Sequence, residues 1–316
     1  MGYVAELAAG VRAEMAKVIV GQDEAVESLL IGLLAEGHLL LEGVPGVAKT
    51  LMVKALAGIV GADFKRVQFT PDLMPADVIG TNIFDLHAGE FRLRKGPIFT
   101  DLLLADEINR TPPKTQAALL EAMEERQVTI DGELHPLGDL FTVIATQNPV
   151  EYEGTYPLPE AELDRFMFKV LIQYPGVEEE EDLLRRHQRG FRPRDLATAG
   201  LARIADREAI ARCRAELRAV VVEDGIIGYL NQIVRTTRAW PHVALGGSPR
   251  AAVNLLLAAK GAAAVAGRQF VVPDDVQRMA YPVLRHRLIL RPEAEIEGLR
   301  ADDAIKSIIA EIKVPR

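Results

Sequence analysis

Three short segments of this chain carry residue types suited to phosphate chemistry. The first is Gly43-Val44-Pro45-Gly46-Val47-Ala48-Lys49-Thr50, with Leu51 beginning the apolar run behind it. Its spacing is that of a loop whose backbone amides, here those around Gly46 to Lys49, turn inward on a phosphate at a helix N-terminus. In such a loop Lys49 bridges the β- and γ-phosphates of ATP and the Thr50 hydroxyl ligates Mg²⁺. Ala48 stands where the common pattern has glycine, and alanine fits there if the residue is right-handed helical. Taken alone, the segment leaves a glycine-rich turn ahead of an ordinary helix as the lesser alternative.

The second segment, Leu102-Leu103-Leu104-Ala105-Asp106-Glu107, is an apolar run ending in two carboxylates. Asp106 is placed to hold Mg²⁺ through water, and Glu107 to orient and polarise an attacking water. Either residue separately could be an acidic cap, but the pair following a phosphate loop predicts hydrolysis. The third segment, Val143-Ile144-Ala145-Thr146-Gln147-Asn148-Pro149, ends on an amide that could position that water or sense the γ-phosphate; an Asn-Pro turn is the plainer alternative. Two arginines complete the set. Arg165 precedes an apolar run, near what is expected to be the functional edge of a sheet. Arg250 follows Ser248-Pro249, the signature of a capped helix start, where a cation opposes the dipole by ~0.3–1 kcal/mol unless an anion faces it. ATP phosphate is the expected anion; a surface ion pair is the alternative.

These groups need a scaffold that presents strand ends side by side. Apolar runs at His38–Leu41, Phe64–Phe69, Asp101–Ala105, Phe141–Thr146 and Phe166–Ile172 alternate with helical periods at Thr50–Ala57 and Lys114–Arg126. That rhythm predicts an α/β fold with a parallel five-stranded sheet covered by helices. Ile83–Arg94 and Val128–His135 predict β-hairpins that project from the sheet, the second through an Asp131-Gly132 type I′ turn. Beyond about residue 200 strand patterns vanish, and Glu208–Val220, Asp224–Thr237, Ser248–Gly267 and Pro273–Leu284 read as helices. The expected division is a nucleotide-binding domain over 1–185, a linker with Gly190 and Pro193 over 186–205, and a helical domain over 206–316.

Composition narrows the function classes. With 316 residues and 49% hydrophobic content, the chain can bury two cores. Net charge is −8, from 37 basic and 45 acidic residues, which argues against coating nucleic acid. A lone cysteine, Cys213, and the lack of a signal-peptide pattern predict a reducing, cytoplasmic setting. The apolar stretch Ala251–Ala266, broken by Asn254, Lys260 and Gly261, is expected to be a buried helix, not a membrane span. The six histidines lack metal-ligand spacing, so no zinc site is expected.

Assembled in this order, the motifs resemble the MoxR type of AAA+ ATPase, within the helix-2-insert group, over nearly the whole chain. The likeness rests on Leu41–Thr50, Gly96–Phe99, Ala105–Arg110, Pro112–Gln116, Thr146–Pro149, Tyr156–Ala161 and Gly247–Ala251. It accounts for Ala48, which the family carries before the lysine. It implies an AAA+ core with an all-α lid, Asn148 as sensor 1, Arg165 as an arginine finger for a neighbouring subunit, and Arg250 as the sensor 2 arginine. Val20, Gly21 and Gln22 match the segment near the adenine. The resemblance further implies ATP and Mg²⁺ as cofactors, a ring that is expected to be hexameric, a protein client in complex maturation, often of metalloenzymes, and a von Willebrand factor A domain partner. Two related classes remain as alternatives: a nucleic-acid motor similar to minichromosome maintenance helicases, using Arg92, Arg94 and Lys95, and a chelatase-type motor subunit. A non-enzymatic nucleotide switch is disfavoured by Glu107.

Overall fold

The structure, a computed structural model, describes residues 2–149, 154–192 and 199–315. Pro193, which the expected linker includes, lies outside them. Two helices, α1 (Tyr3–Met15) and α2 (Asp23–Leu34), lead into β1 (His38–Gly43), α3 (Lys49–Val60), β2 (Phe64–Gln68) and the short α4 (Pro75–Ile79). A first hairpin, β3 (Gly80–Asp85) with β4 (Glu90–Lys95), precedes β5 (Leu102–Asp106) and α5 (Pro113–Glu125). A second, β6 (Gln127–Ile130) with β7 (Glu133–Pro136), precedes β8 (Thr142–Gln147), α6 (Glu160–Leu163), β9 (Phe166–Ile172) and α7 (Val177–Gln188). The remainder is α8 (Arg207–Ala219), α9 (Asp224–Ala239), β10 (Val243–Leu245), α10 (Pro249–Val265), α11 (Pro273–Leu284), β11 (Ile289–Leu290), α12 (Pro292–Ile296) and α13 (Ala301–Glu311).

The five expected strands form one parallel sheet in the order β2-β5-β8-β1-β9. Its three inner strands are continuous apolar runs because both faces are covered. Leu39 and Leu41 face one core with α2 and α3, and Leu40 faces the other with Leu119, Leu120 and Phe141. Both hairpins form separate two-stranded sheets. In the second, Asp131 (φ 49°) and Gly132 (φ 87°) are both left-handed, the geometry of a type I′ turn.

The C-terminal helices lie against the core, with Gly261 of α10 so near α2 that a Cβ would come within 2.5 Å of Ile31. Strands are present there after all: β10 and β11 pair antiparallel, but at three and two residues they are too short to leave an alternating pattern. The turn after α11 seals the open edge of β9. Arg285 Nη1 donates to the Lys169 carbonyl (3.4 Å), His286 Nε2 to Phe166 (3.0 Å), and Arg287 to Phe166 and Met167 (2.6 and 3.2 Å). Edge carbonyls that would otherwise invite another strand are thereby satisfied.

His38 starts β1 fully enclosed, its Nε2 donating to the Met123 carbonyl (3.1 Å) and its Nδ1 accepting from the Val143 amide (2.9 Å). Burial pushes its pKa down to about 4, and burial likewise holds His286 well below the ordinary histidine value. Between pH 4 and 6.5 the unfolded chain takes up a proton on His38 that the folded chain refuses. Stability is therefore full above about pH 6.5 and falls toward pH 4, by about 3 kcal/mol from His38. Thermal unfolding at pH 7 and pH 5 checks this: the midpoint should drop on acidification, and His38→Gln should show the shallower drop, whatever its stability at pH 7. An identical slope would contradict the assignment.

Candidate functional site

The phosphate loop leaves β1 at Gly43 and reaches α3 through two left-handed residues, Gly46 (φ 89°) and Ala48 (φ 62°, ψ 20°). Ala48 is thus not right-handed, as the sequence alone led one to expect. The loop has to reverse direction just before the helix, and the positive φ at Gly46 and Ala48 makes that turn. Alanine tolerates this at about 1–2 kcal/mol, having the smallest side chain that can suffer the clash. Lys49 Nζ lies across the mouth of the loop, donating to the carbonyls of Gly43 (2.5 Å) and Gln147 (3.2 Å).

Asp106 and Glu107 end β5 beside it. Asp106 Oδ1 accepts from the Thr146 hydroxyl (2.5 Å), and its Oδ2 accepts from Arg66 Nε and Nη2 (2.9 and 2.7 Å). Glu107 is left-handed (φ 58°), which turns its side chain off the strand direction; its amide donates to Thr146 Oγ1 (2.9 Å). Its Oε2 accepts from Gln68 Nε2 (2.7 Å) and lies 3.1 Å from Arg110 Nε. One hydroxyl on β8 thus orients both residues, and Asn148 sits buried two residues further along the same strand end. Thr146 was not singled out from sequence. Its position one strand away from Asp106 becomes visible only in the β5–β8 pairing.

These groups border a cleft of about 720 Å³. Val20, Gln22, Pro45 to Leu51, Asp106, Glu107 and Asn148 line it, together with Val18 and Ile19. Gly21 opens onto the neighbouring depression, and Gly43 and Val44 onto the outer side of the loop. The wall that sequence missed is α7 and the chain around it: Tyr174, Pro175, Leu183, Leu184, His187 and Phe191. Leu183 and His187 lie one turn apart on α7, and Phe191 follows just past its end, where its amide donates to the Arg186 carbonyl (3.0 Å); the pattern was hidden in a strongly charged segment. His187 and Phe191 meet edge to face at 5.8 Å, giving an aromatic rim suited to a planar base.

Arg165 and Arg250 are elsewhere. Arg165 precedes β9, and Phe166 is registered with His38, whereas the phosphate loop follows Gly43, registered with Ile172. All strands are parallel, so these are opposite ends of the sheet, roughly 17 Å apart along β1. The expectation that Arg165 lies near the loop's edge of the sheet is therefore corrected. Instead the two guanidiniums converge on Glu124: Arg165 Nε is 3.5 Å from Oε2, and Arg250 Nη2 is 2.5 Å from Oε1. Arg165 Nη1 also donates to the Leu120 carbonyl (2.6 Å). The anion that offsets the unfavourable dipole at Arg250 is thus a carboxylate.

A phosphate loop, a strand-end Asp-Glu pair, a buried asparagine after the adjoining strand and a C-terminal helical domain define the AAA+ class of ATPase. Residues 38–168 match the family described as ATPase family associated with various cellular activities (AAA), and residues 235–308 match the AAA lid domain. The chain is 49% identical to the protein YeaC of Bacillus subtilis, over 95% of this chain and 92% of that one. It is 43% identical to chaperone MoxR1 of Mycobacterium tuberculosis, over 96% and 81%. A solved structure of a candidate ATPase from Cytophaga hutchinsonii superposes with a TM-score of 0.91 at 42% identity, covering 99% and 96% of the two chains. The chain belongs to the MoxR family of AAA+ ATPases and is an ATP-hydrolysing enzyme. Among the described residues no helix is long and apolar enough to cross a membrane.

Two outcomes follow from the cleft. Ala48→Gly should raise thermal stability by about 0.5–1 kcal/mol, the relief of left-handed strain less the added freedom of the unfolded chain. Phe191→Ala should weaken binding of a fluorescent ATP analogue about 3–10-fold through lost ring contact, with the fold unchanged by circular dichroism.

Proposed function

We propose that the protein is a ring-forming, ATP-driven chaperone whose hydrolytic sites are each shared by two subunits. The single observation that carries this is the placement of Arg165 and Arg250 together at the end of the sheet remote from their own phosphate loop. Two guanidiniums gathered by one partly exposed carboxylate form a surface ready to exchange that carboxylate for a neighbour's phosphate. A hexamer is the assembly the family resemblance favours. Within it, residues 1–185 act as the nucleotide-binding unit, joined through 186–205 to a helical lid over 206–316.

The chemistry runs on this chain's own residues. Lys49 and the inward amides bind the β- and γ-phosphates, and Glu107 orients water for in-line attack on the γ-phosphate and takes its proton. Asn148 senses or steadies the γ-phosphate from β8. Thr50 and Asp106 border the same cleft and would hold Mg²⁺, Thr50 through its hydroxyl and Asp106 through water; the ion would offset phosphate charge. The clasp of Gln68 and Arg110 on Glu107, and of Arg66 on Asp106, must loosen for this to happen.

The client is a protein or protein complex, as the name of the Mycobacterium relative suggests, with a von Willebrand factor A domain protein as partner. Exposed Phe84, Leu86, Phe91 and Leu134 on the two hairpins give such a client apolar ground. The nucleic-acid alternative is weakened where Arg92 is matched by Asp85 (3.2 Å) and Glu90 (2.9 Å).

Glu107→Gln should bind ATP normally and lose turnover by at least 10²-fold in a phosphate-release assay, and unchanged turnover would sink Glu107 as the base. Arg165→Ala should lower kcat by roughly 10³-fold with ATP binding intact. Specific ATPase activity should also fall on dilution as light scattering reports loss of the ring. Activity constant from ring to monomer would refute a shared site.

A further inference from the structure

Arg287, in the turn between α11 and β11, is almost wholly buried, with 2% side-chain exposure, and commits all five of its N–H donors. Nε donates to Asp164 Oδ1 (2.7 Å), and Nη2 to the carbonyls of Asp164 (2.9 Å) and Phe166 (2.6 Å). Nη1 donates to the carbonyls of Met167 (3.2 Å) and Val283. The Asp164 and Phe166 carbonyls bracket Arg165, so one guanidinium fixes the main chain on both sides of that residue. Asp164 has a second role. Its Oδ2 accepts from Ser248 Oγ (3.0 Å), the residue that caps α10 through the Ala251 amide, and it lies 4.0 Å from Arg250 Nη1. The turn carrying Arg165 and the helix start carrying Arg250 are thereby tied to one carboxylate, which a residue of the C-terminal domain holds in place.

A buried pair of this kind could simply hold the C-terminal helices to the sheet. Simple attachment does not require the donors to converge on the carbonyls of the two residues either side of Arg165, nor the same carboxylate to anchor the cap in front of Arg250. We propose that Asp164 and Arg287 are positioning residues for the arginine pair. They set its separation and direction, so that the C-terminal helices of one subunit govern hydrolysis in the site of the next. This rests on the reading that Arg165 and Arg250 act on a neighbour's nucleotide. Positioning of reacting groups is steeply geometric: a displacement of about 1 Å can cost about 10²-fold in rate.

The test uses Asp164→Asn, which keeps size and one acceptor oxygen, and Arg287→Lys, which keeps charge and loses the planar fork. Each should lower kcat at least tenfold in the assembled protein. KM for ATP and the dissociation constant of a fluorescent ATP analogue should stay within twofold, because the variant's own phosphate loop is untouched. Each variant is then mixed with Lys49→Ala subunits, which lack a working loop but keep an intact arginine face, and the mixture should exceed the summed activity of its parts. Arg165→Ala mixed with Lys49→Ala is the control. If the control mixture gains nothing, the shared site itself fails and the inference with it. If the control gains while Asp164→Asn does not, the positioning role is overturned. An unchanged kcat, or nucleotide binding lost in step with kcat, overturns it as well. Should Arg287→Lys not fold, Asp164→Asn alone decides.

Discussion

Because the five central strands run parallel, every loop that follows a strand emerges at one end of the sheet and every turn that enters one lies at the other. The phosphate loop, Asp106, Glu107 and Asn148 all follow strands and so meet in one cleft. Arg165 enters a strand and is carried to the far end, where the start of α10 adds Arg250. No rotamer change can close a gap of strand length. The polarity of the sheet thus separates the groups that bind the nucleotide from the guanidiniums that would complete it, and a second subunit is the simple means of reuniting them.

Within the cleft, placement depends on a few shared hydrogen bonds. Thr146 serves both acidic positions, donating to Asp106 and accepting from the Glu107 amide. The edge strand β2 supplies Arg66 and Gln68, two residues apart and therefore on one face, to hold the two carboxylates from the other side. Adjacent carboxylates repel each other, and Arg66 with Arg110 offsets that charge.

Much of this was legible in sequence where the signal was local. Leu102–Ala105 reads as a doubly buried strand because nothing polar interrupts it, and Asp131-Gly132 dictates its turn from two residues. Long-range placement was less legible. Ala48 looked compatible with a right-handed residue, but the direction of the loop, set by where α3 packs, forced it left-handed. The α7 wall was obscured because Leu183, Leu184 and His187 are dispersed among acidic and basic neighbours. Arg165 was assigned to the wrong end of the sheet, since sequence shows that it precedes a strand but not how far that is from the loop. The clasp of Arg287 on Asp164 joins residues 123 apart and leaves no pattern in either.

The C-terminal helices do more than cover the core, since the residues that hold Arg165 and Arg250 in place belong to both parts of the chain. The measurement that bears most directly on the central claim is a structure of the Glu107→Gln assembly with ATP and Mg²⁺. The account predicts Arg165 and Arg250 of one subunit within hydrogen-bonding distance of the γ-phosphate held by Lys49 of its neighbour, with Glu124 released from both. Arginines still paired with Glu124, or turned toward the nucleotide of their own subunit, would contradict it.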